Sequence, residues 1–238
     1  MIYLAWSGGL DSTYALVELL RQGYPVHAHH TSIYYQWLRY PTDSDEERPH
    51  IAQSRTIGET QACRAIAKHL HQLGYEFDYT ETAVDFGSEI SCLDIFFMTL
   101  PFILNEAKAN GITDTDRLLF AVSDKDSHEQ FTPQYSSMFQ QFVRAYCDEI
   151  APVFLRFGRW QSREAHIKAL GEEIANMTVS CSRPKFIDGE WVPCGSAKKF
   201  DSIYQRHISR YESLKACTCA DMLGLLPKYD NGWAKNEV

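Results

Sequence analysis

Short apolar segments of strand length alternate with longer helical stretches along most of the chain. Strands joined by crossover helices pair in parallel, and the helices then cover both faces of the sheet. The alternation therefore predicts an α/β fold with a doubly wound, mainly parallel five-stranded sheet. The strand segments are residues 2–6, 25–30, 75–82, 118–122 and 153–155. After a first helix that ends near residue 22, helices are expected over 57–73, 95–110, 135–149 and 162–176, with an inserted loop over 31–54.

The length of 238 residues allows one large α/β domain with a smaller extension. We expect an α/β domain over residues 1–176 and a C-terminal extension over residues 177–238. The hydrophobic share of 45% is sufficient for a buried core. A net charge of −8 gives no overall attraction to nucleic acid, which disfavours a module that only binds nucleic acid.

Further composition features indicate the compartment. No apolar run reaches the roughly 18 to 20 residues of a membrane span, and the first strand starts at Met1 without a charged leader. We therefore expect a cytoplasmic protein without a membrane partner. The 7 cysteines are then expected to be thiols or metal ligands, because disulfides form in oxidising compartments.

The first strand runs directly into a glycine turn that precedes a helix. Gly8 and Gly9 can adopt positive φ and leave backbone N–H groups unshielded, while the start of the helix adds unpaired donors and the positive end of its dipole. This arrangement suits a phosphate group. Gly-Lys-Ser/Thr is absent, which excludes a kinase-type phosphate loop. The expected nucleotide-binding residues are Ser7, Gly8, Gly9, Leu10, Asp11, Ser12 and Thr13.

A charged loop follows the fourth predicted strand, at the edge of the sheet where parallel α/β proteins place their chemistry. Asp124, Lys125, Asp126 and His128 lie in this loop. Such a composition can hold magnesium and move protons, and it equally fits a solvated charged turn. In the second strand only His27 and His29 share a face, because successive side chains alternate. Two histidines are a weak indication of a metal site.

Residues 7–13 resemble the PP-loop of ATP pyrophosphatases, which split ATP into AMP and pyrophosphate to activate an oxygen of a second substrate. Residues 177–184, the turn at 188–189 and residues 193–195 are similar to the C-terminal part of 7-cyano-7-deazaguanine synthases. The resemblance extends over most of the chain. It includes Glu59 with Arg64, Pro133 with Phe139, and Glu164.

The resemblance implies an adenine nucleotide alpha hydrolase-like fold and the conversion of 7-carboxy-7-deazaguanine, ATP and ammonia into a nitrile. It implies magnesium as cofactor and a homodimer, with Asp11 and the ion orienting pyrophosphate. Asp124, Asp126 and His128 are the candidates for metal and proton handling, with Lys125 as a cation near phosphate. The expected substrate-binding residues are Tyr34, Glu59 and Gln134.

The aromatic residues of the predicted insertion have two interpretations. Tyr34, Tyr35 and Trp37 can stack on a purine-like ring. They can equally hold the loop down by packing on one another.

The chain departs from the family pattern at its zinc site. Where the family has C-G-x-C-x-x-C, Cys194 is kept but Ala197 and Phe200 replace two ligands. Cys217 and Cys219 would lie about 25 Å further along a straight helix, at roughly 1.5 Å per residue. We therefore expect no zinc, with Cys181 and Cys194 as buried thiols. Packing among Phe186, Trp191 and Phe200 would then replace the metal.

Two further departures concern the substrate. Residues 91–94 replace P-G-R-N, and residues 132–136 replace Y-P-D-C-R, so a carboxylate and guanidinium groups are lost while Gln134 can still donate and accept. The exact substrate therefore stays open. The alternatives are another PP-loop amide ligase, a nucleobase-thiolating enzyme that would use Cys63 or Cys92, and a non-catalytic nucleotide-binding protein.

Overall fold

The computed structural model describes residues 1–34, 48–85, 92–123, 133–148, 150–157, 163–179, 185–187 and 190–192. Strands and helices alternate through these residues, as the sequence pattern predicts. The elements are β1 Ile2–Ala5, α1 Leu10–Arg21, β2 Val26–Tyr34, α2 Arg48–Gln72, β3 Asp78–Asp85, α3 Cys92–Ala109, β4 Arg117–Ser123, α4 Pro133–Tyr146, β5 Ala151–Phe157, α5 Arg163–Leu170, α6 Glu172–Met177, β6 Lys185–Ile187 and β7 Glu190–Val192.

The strands of the main sheet lie in the order β3-β2-β1-β4-β5, and each neighbouring pair is parallel. β1 pairs with β2 on one side and with β4 on the other, so Ile2 lies opposite both Val26 and Arg117. The chain moves outward from β1 to β3 and then crosses back to β4. The α/β class with a parallel sheet and helices is thereby confirmed.

Two hydrophobic cores lie on opposite faces of this sheet. Leu4 belongs to the core with α1, α2, α5 and α6, while its neighbour Tyr3 belongs to the core with α3 and α4. This division follows from right-handed crossovers, because reversing the direction of travel along the sheet moves the connecting helix to the other face. Both faces of β1 are therefore covered, as its apolar sequence requires.

The expected inserted loop over 31–54 was wrong at both ends. β2 continues to Tyr34 and α2 already begins at Arg48. The strand continues because residues up to Tyr34 pair with β3, where Tyr34 lies opposite Asp85. The hydroxyl of Thr56 on α2 also donates to the Ile33 carbonyl at 2.6 Å, which joins the helix to the extended strand.

The expected single helix over 162–176 is divided into α5 and α6. Gly171 lies between them with φ of +80°, a conformation that glycine adopts without the penalty of a side chain. Further along, β6 and β7 pair antiparallel, with Phe186 opposite Trp191, on either side of the predicted turn at 188–189. In the described part of the chain, no helix has the length and apolarity needed to cross a membrane.

We expect the core of α1 to dominate stability. Leu16 is fully buried, whereas Leu73, directly after α2, is 57% exposed. Leu16→Ala should lower the free energy of unfolding by about 2–5 kcal/mol because it leaves a cavity. Leu73→Ala, the same chemical change at the surface, should cost about 0.5 kcal/mol or less. Urea unfolding of both variants checks this, and equal losses would contradict the described core.

Candidate functional site

The glycine turn lies at the centre of the sheet. β1 ends at Ala5, and residues 6–9 lead from its carboxyl end into α1. Because β1 lies between β2 and β4, this turn stands where the strand order reverses. In open α/β sheets the crevice at such a reversal is where ligands bind. The topology therefore places the predicted phosphate-binding segment at the carboxyl end of the central strand, where a ligand is expected to bind.

Two serines shape the turn from within. The Ser7 N–H donates to Ser12 Oγ at 3.3 Å, and the two hydroxyl oxygens lie 3.0 Å apart. The Ser12 hydroxyl donates to the Gly9 carbonyl at 3.3 Å, and the Gly9 N–H donates to Ser7 Oγ at 3.3 Å. Either hydroxyl can be the donor between the two serines. This network ties the start of the turn to the first turn of α1.

Gly8 is held between two other parts of the chain. Its φ is +72°, and a Cβ at this position would lie 2.8 Å from Cys63 Sγ and 2.9 Å from the Glu59 carbonyl oxygen. Its own carbonyl accepts the Val179 N–H at 3.0 Å, from the segment that follows α6. The position therefore requires glycine for its conformation and for the close approach of α2. The turn is fixed by its surroundings.

The N-cap residue of α1 is a glycine. Gly9 is the N-cap residue, in extended conformation, and makes no side-chain hydrogen bond because it has none to make. The first N–H groups of a helix have no intrahelical acceptor and carry the positive end of the dipole. Because glycine has no side chain, the N-cap residue itself does not compete with an anion for these N–H groups, as a serine or aspartate at this position would.

Asp11 in the first turn of α1 is paired with a residue that the sequence interpretation missed. His166 of α5 donates through Nδ1 to Asp11 Oδ1 at 2.9 Å. The His166 ring is only 2% exposed and stacks on Tyr14, with the ring centroids 4.2 Å apart and the planes 13° apart. No local pattern marks His166, because its partners lie on a helix that is distant in sequence.

The side chains of Leu10 and Thr13 point into the interior. Leu10 belongs to the core beside α1, and the Trp6 indole N–H donates to Thr13 Oγ1 at 3.1 Å in buried surroundings. The buried side chains of Leu10 and Thr13 therefore anchor the turn to the interior of the protein.

Three histidines of β2 lie close to the turn or on the other face of the sheet. His30 lies close to the turn, and His27 and His29 lie on the other face. His30 donates through Nδ1 to the Trp6 carbonyl at 3.0 Å, and its Nε2 lies 3.1 Å from Thr60 Oγ1. His27 and His29 both contact Thr80 Oγ1, each at 2.8 Å, which confirms that they share a face. Burial lowers the pKa of all three rings, that of His29 to about 4. Among the described residues, no group of three His, Cys, Asp or Glu side chains could hold a metal.

The predicted substrate residues lie on three elements. Tyr34 ends β2, which corrects its expected place in a loop. Glu59 is half-buried on α2, beside Gly8, and its charge opposes the burial effect by raising the pKa of His30. Gln134 lies in the first turn of α4. Arg64, which the resemblance also includes, donates to Glu81 through Nε at 3.0 Å.

Several predicted residues lie outside the described residues. They follow β4, which ends at Ser123, or belong to the C-terminal part. They are Asp124, Lys125, Asp126, His128, Cys181, Cys194, Phe200, Cys217 and Cys219.

The Cys63 thiol is fully buried against the turn. Burial raises the pKa of this thiol well above its ordinary value, and the charge of Glu59 adds to the effect. A thiolate is the reactive form of cysteine, so this environment opposes nucleophilic chemistry at Cys63.

The sequence was compared with protein-family models and with curated proteins, and neither comparison gives a match.

We expect Gly8→Ala to be more destabilising than Gly23→Ala. Both glycines have positive φ, of +72° and +76°, but nothing lies within 4 Å of a Cβ at Gly23. Gly23→Ala should cost only the conformational penalty of about 1–2 kcal/mol. Gly8→Ala adds contacts with the backbone of α2 and should cost at least about 1 kcal/mol more. Thermal and urea unfolding measure the difference, and equal costs would exclude the described packing.

Acid should destabilise the protein through His29. Burial lowers its folded pKa to about 4 from an ordinary value of 6.5, so between these values the unfolded state binds a proton that the folded state does not. The free energy of unfolding should therefore fall as pH drops from 6.5 to 4, by up to about 3 kcal/mol for this group. His29→Gln, which cannot titrate, should show a shallower loss. An unchanged slope in urea unfolding across this range would be evidence against a neutral buried His29.

Proposed function

We propose that the protein is an ATP-dependent, AMP-forming enzyme that adenylates a carboxylate. The observation that carries the proposal is the glycine-capped start of α1 at the point where the strand order reverses. A phosphate group there would receive N–H donors and the positive end of the helix dipole without reorganisation of the turn. The serine network and the contact of Gly8 with α2 support such pre-organisation. The strand order supports the finer assignment, an adenine nucleotide alpha hydrolase-like fold.

Asp11 is the carboxylate of this turn and has the oxygen chemistry that magnesium prefers. Magnesium at Asp11 would neutralise charge on the phosphates. The chain's own contribution is position: the turn holds the phosphates in line with an incoming carboxylate, whose oxygen forms a bond to the α-phosphorus as the bond to pyrophosphate breaks. The products of this step are an acyl adenylate and pyrophosphate.

The second half of the reaction is amide formation. Ammonia attacks the acyl carbon, AMP leaves, and a second ATP activates the amide oxygen on the way to the nitrile. The acceptor is proposed to be 7-carboxy-7-deazaguanine or a related 7-deazapurine, on the sequence resemblance of residues 177–184 and 193–195. Tyr34, Glu59 and Gln134 are the proposed substrate contacts. Asp124, Lys125, Asp126 and His128, after β4, are proposed to handle protons and charge. The resemblance also supports a homodimer, the replacement of two zinc ligands by Ala197 and Phe200 supports the absence of zinc, and the lack of an apolar run of membrane length supports a cytoplasmic location.

A second candidate is an amide ligase of the same superfamily that stops before the nitrile. The replaced residues at 91–94 and 132–136 favour this candidate, because they remove charged groups from the segments that would recognise the acceptor. Nucleobase thiolation through Cys63 is disfavoured by the burial of its thiol.

The test is an assay with ATP, magnesium, ammonium and 7-carboxy-7-deazaguanine. We expect AMP, pyrophosphate and the nitrile from the wild-type protein. The amide alone would identify the second candidate. ATP binding without AMP would indicate a non-catalytic nucleotide-binding protein, and release of ADP would rule out adenylation.

Gly8→Ala should abolish AMP formation, while Gly23→Ala should retain it. Both variants carry a β-carbon at a positive φ, but only Gly8 belongs to the turn. The assay is run at a temperature where unfolding curves show both variants folded. Equal activity of the two variants would place the reaction elsewhere in the molecule.

A further inference from the structure

Two buried polar atoms of β2 have no hydrogen-bond partner among the described residues. They are Nε2 of His29, a side chain that is 2% exposed, and Oγ1 of Thr31. Because side chains two residues apart in a strand point to the same side, both lie on the face that carries the core with α3 and α4. A buried polar group without a partner costs free energy, so nearly all such groups have one. Two of them side by side indicate a position for a small polar molecule.

A chain of hydrogen bonds assigns the proton of His29. The Asn110 amide nitrogen lies 3.4 Å from His27 Nδ1 and can only donate, so a neutral His27 carries its proton on Nε2. His27 Nε2 and His29 Nδ1 each lie 2.8 Å from Thr80 Oγ1. In the arrangement that gives the Thr80 proton an acceptor, Thr80 accepts from His27 and donates to His29 Nδ1. A neutral His29 then carries its proton on Nε2 and presents a buried N–H donor.

The surroundings favour an uncharged ligand. Burial lowers the pKa of His27 and His29, so both rings are neutral at neutral pH. The neighbouring His27 and His30 rings further disfavour a charge on His29. Glu106 and Asp78 act in the opposite direction on the pKa of His27 without outweighing burial. The position therefore offers hydrogen bonds from a neutral ring and a hydroxyl.

The two groups lie at the end of the sheet where the reaction is proposed. His29 is paired with Ala5, the last residue of β1, and its carbonyl accepts the Trp6 N–H at 2.9 Å. β2 continues beyond this pair, so Thr31 lies past the end of β1, on the face of the sheet opposite α1. Residues two apart in a strand are separated by about 6.6 Å, which is comparable to two hydrogen bonds of about 2.9 Å that meet at one atom. One small molecule can therefore contact both side chains.

We propose that His29 and Thr31 bind ammonia in its neutral form and supply it to the proposed reaction. This inference rests on the proposed function, which requires ammonia as the nucleophile. The His29 N–H would donate to the ammonia lone pair, and Thr31 Oγ1 would accept one of the ammonia protons. Ammonium has no lone pair to offer to an N–H donor. The site therefore selects the form that can attack an acyl carbon.

The experiment observes the His29 ring by NMR in protein whose histidines carry heavy nitrogen, with His29→Gln identifying the signals. We expect the tautomer that is protonated at Nε2. Ammonium chloride in slightly alkaline buffer should shift the Nε2–H signal to saturation, whereas sodium chloride at the same concentration should not. The titration gives an affinity without any need for turnover.

Thr31→Val keeps the shape of the side chain and removes its hydroxyl. It should weaken the ammonia affinity by about three- to tenfold, the effect of one lost hydrogen bond. In the AMP-forming assay with an acceptor, it should raise the KM for ammonium by a similar factor and leave the KM for ATP unchanged. Thr115→Val makes the same chemical change at an exposed position before β4 and should alter neither value. Unfolding curves establish that both variants are folded.

Four results would overturn the inference: a His29 proton on Nδ1, no shift with ammonium, an equal shift with sodium chloride, or unchanged affinity in folded Thr31→Val. The absence of a shift would mean that water alone binds to these groups. AMP formation without ammonia binding would reject this site and leave the proposed function standing. Ammonia binding without AMP formation would reject the proposed function and leave the site.

Discussion

The close approach of the Gly8 backbone to α2 is the contact on which the candidate site depends. A Cβ at Gly8 would lie closer to Cys63 and Glu59 than atoms can approach, so the turn and the helix fit only without a side chain. This contact determines how closely the turn packs against α2. Cys63 Sγ is the nearest of these atoms, and its thiol is buried because it packs against the turn. The raised pKa of the Cys63 thiol is a consequence of that burial.

Beneath the turn, a buried polar network takes the place of apolar packing. Thr60 on α2 contacts His30 and Ser32 of β2, and its hydroxyl lies 2.8 Å from the Thr56 carbonyl. His30 in turn donates to the carbonyl of Trp6, the first residue after β1. Such networks stabilise one arrangement only when their members are satisfied. The end of β1 is therefore positioned by directional bonds, which suits a segment that must present its backbone to a ligand.

The sequence predicted features that arise from local pattern. The alternation of strands and helices and the facing of His27 and His29 follow from short-range periodicity, and both agree with the structure. The end of β2 could not be predicted, because its polar residues resemble a loop until α2 supplies their partners. The role of His166 could not be predicted either, because its hydrogen bond to Asp11 spans 155 residues. The contact between Ser7 and Ser12, by contrast, joins residues that are close in sequence.

The bond between the Gly8 carbonyl and the Val179 N–H has a consequence for biosynthesis. Residue 8 leaves the ribosome 171 residues before its partner, which follows only after β1 to β5 have been made. Contacts between residues so far apart in sequence form late, because the chain must first close a long loop. The nascent chain would thus carry its glycine turn incomplete until Val179 has emerged, so that a truncated translation product would lack this part of the site.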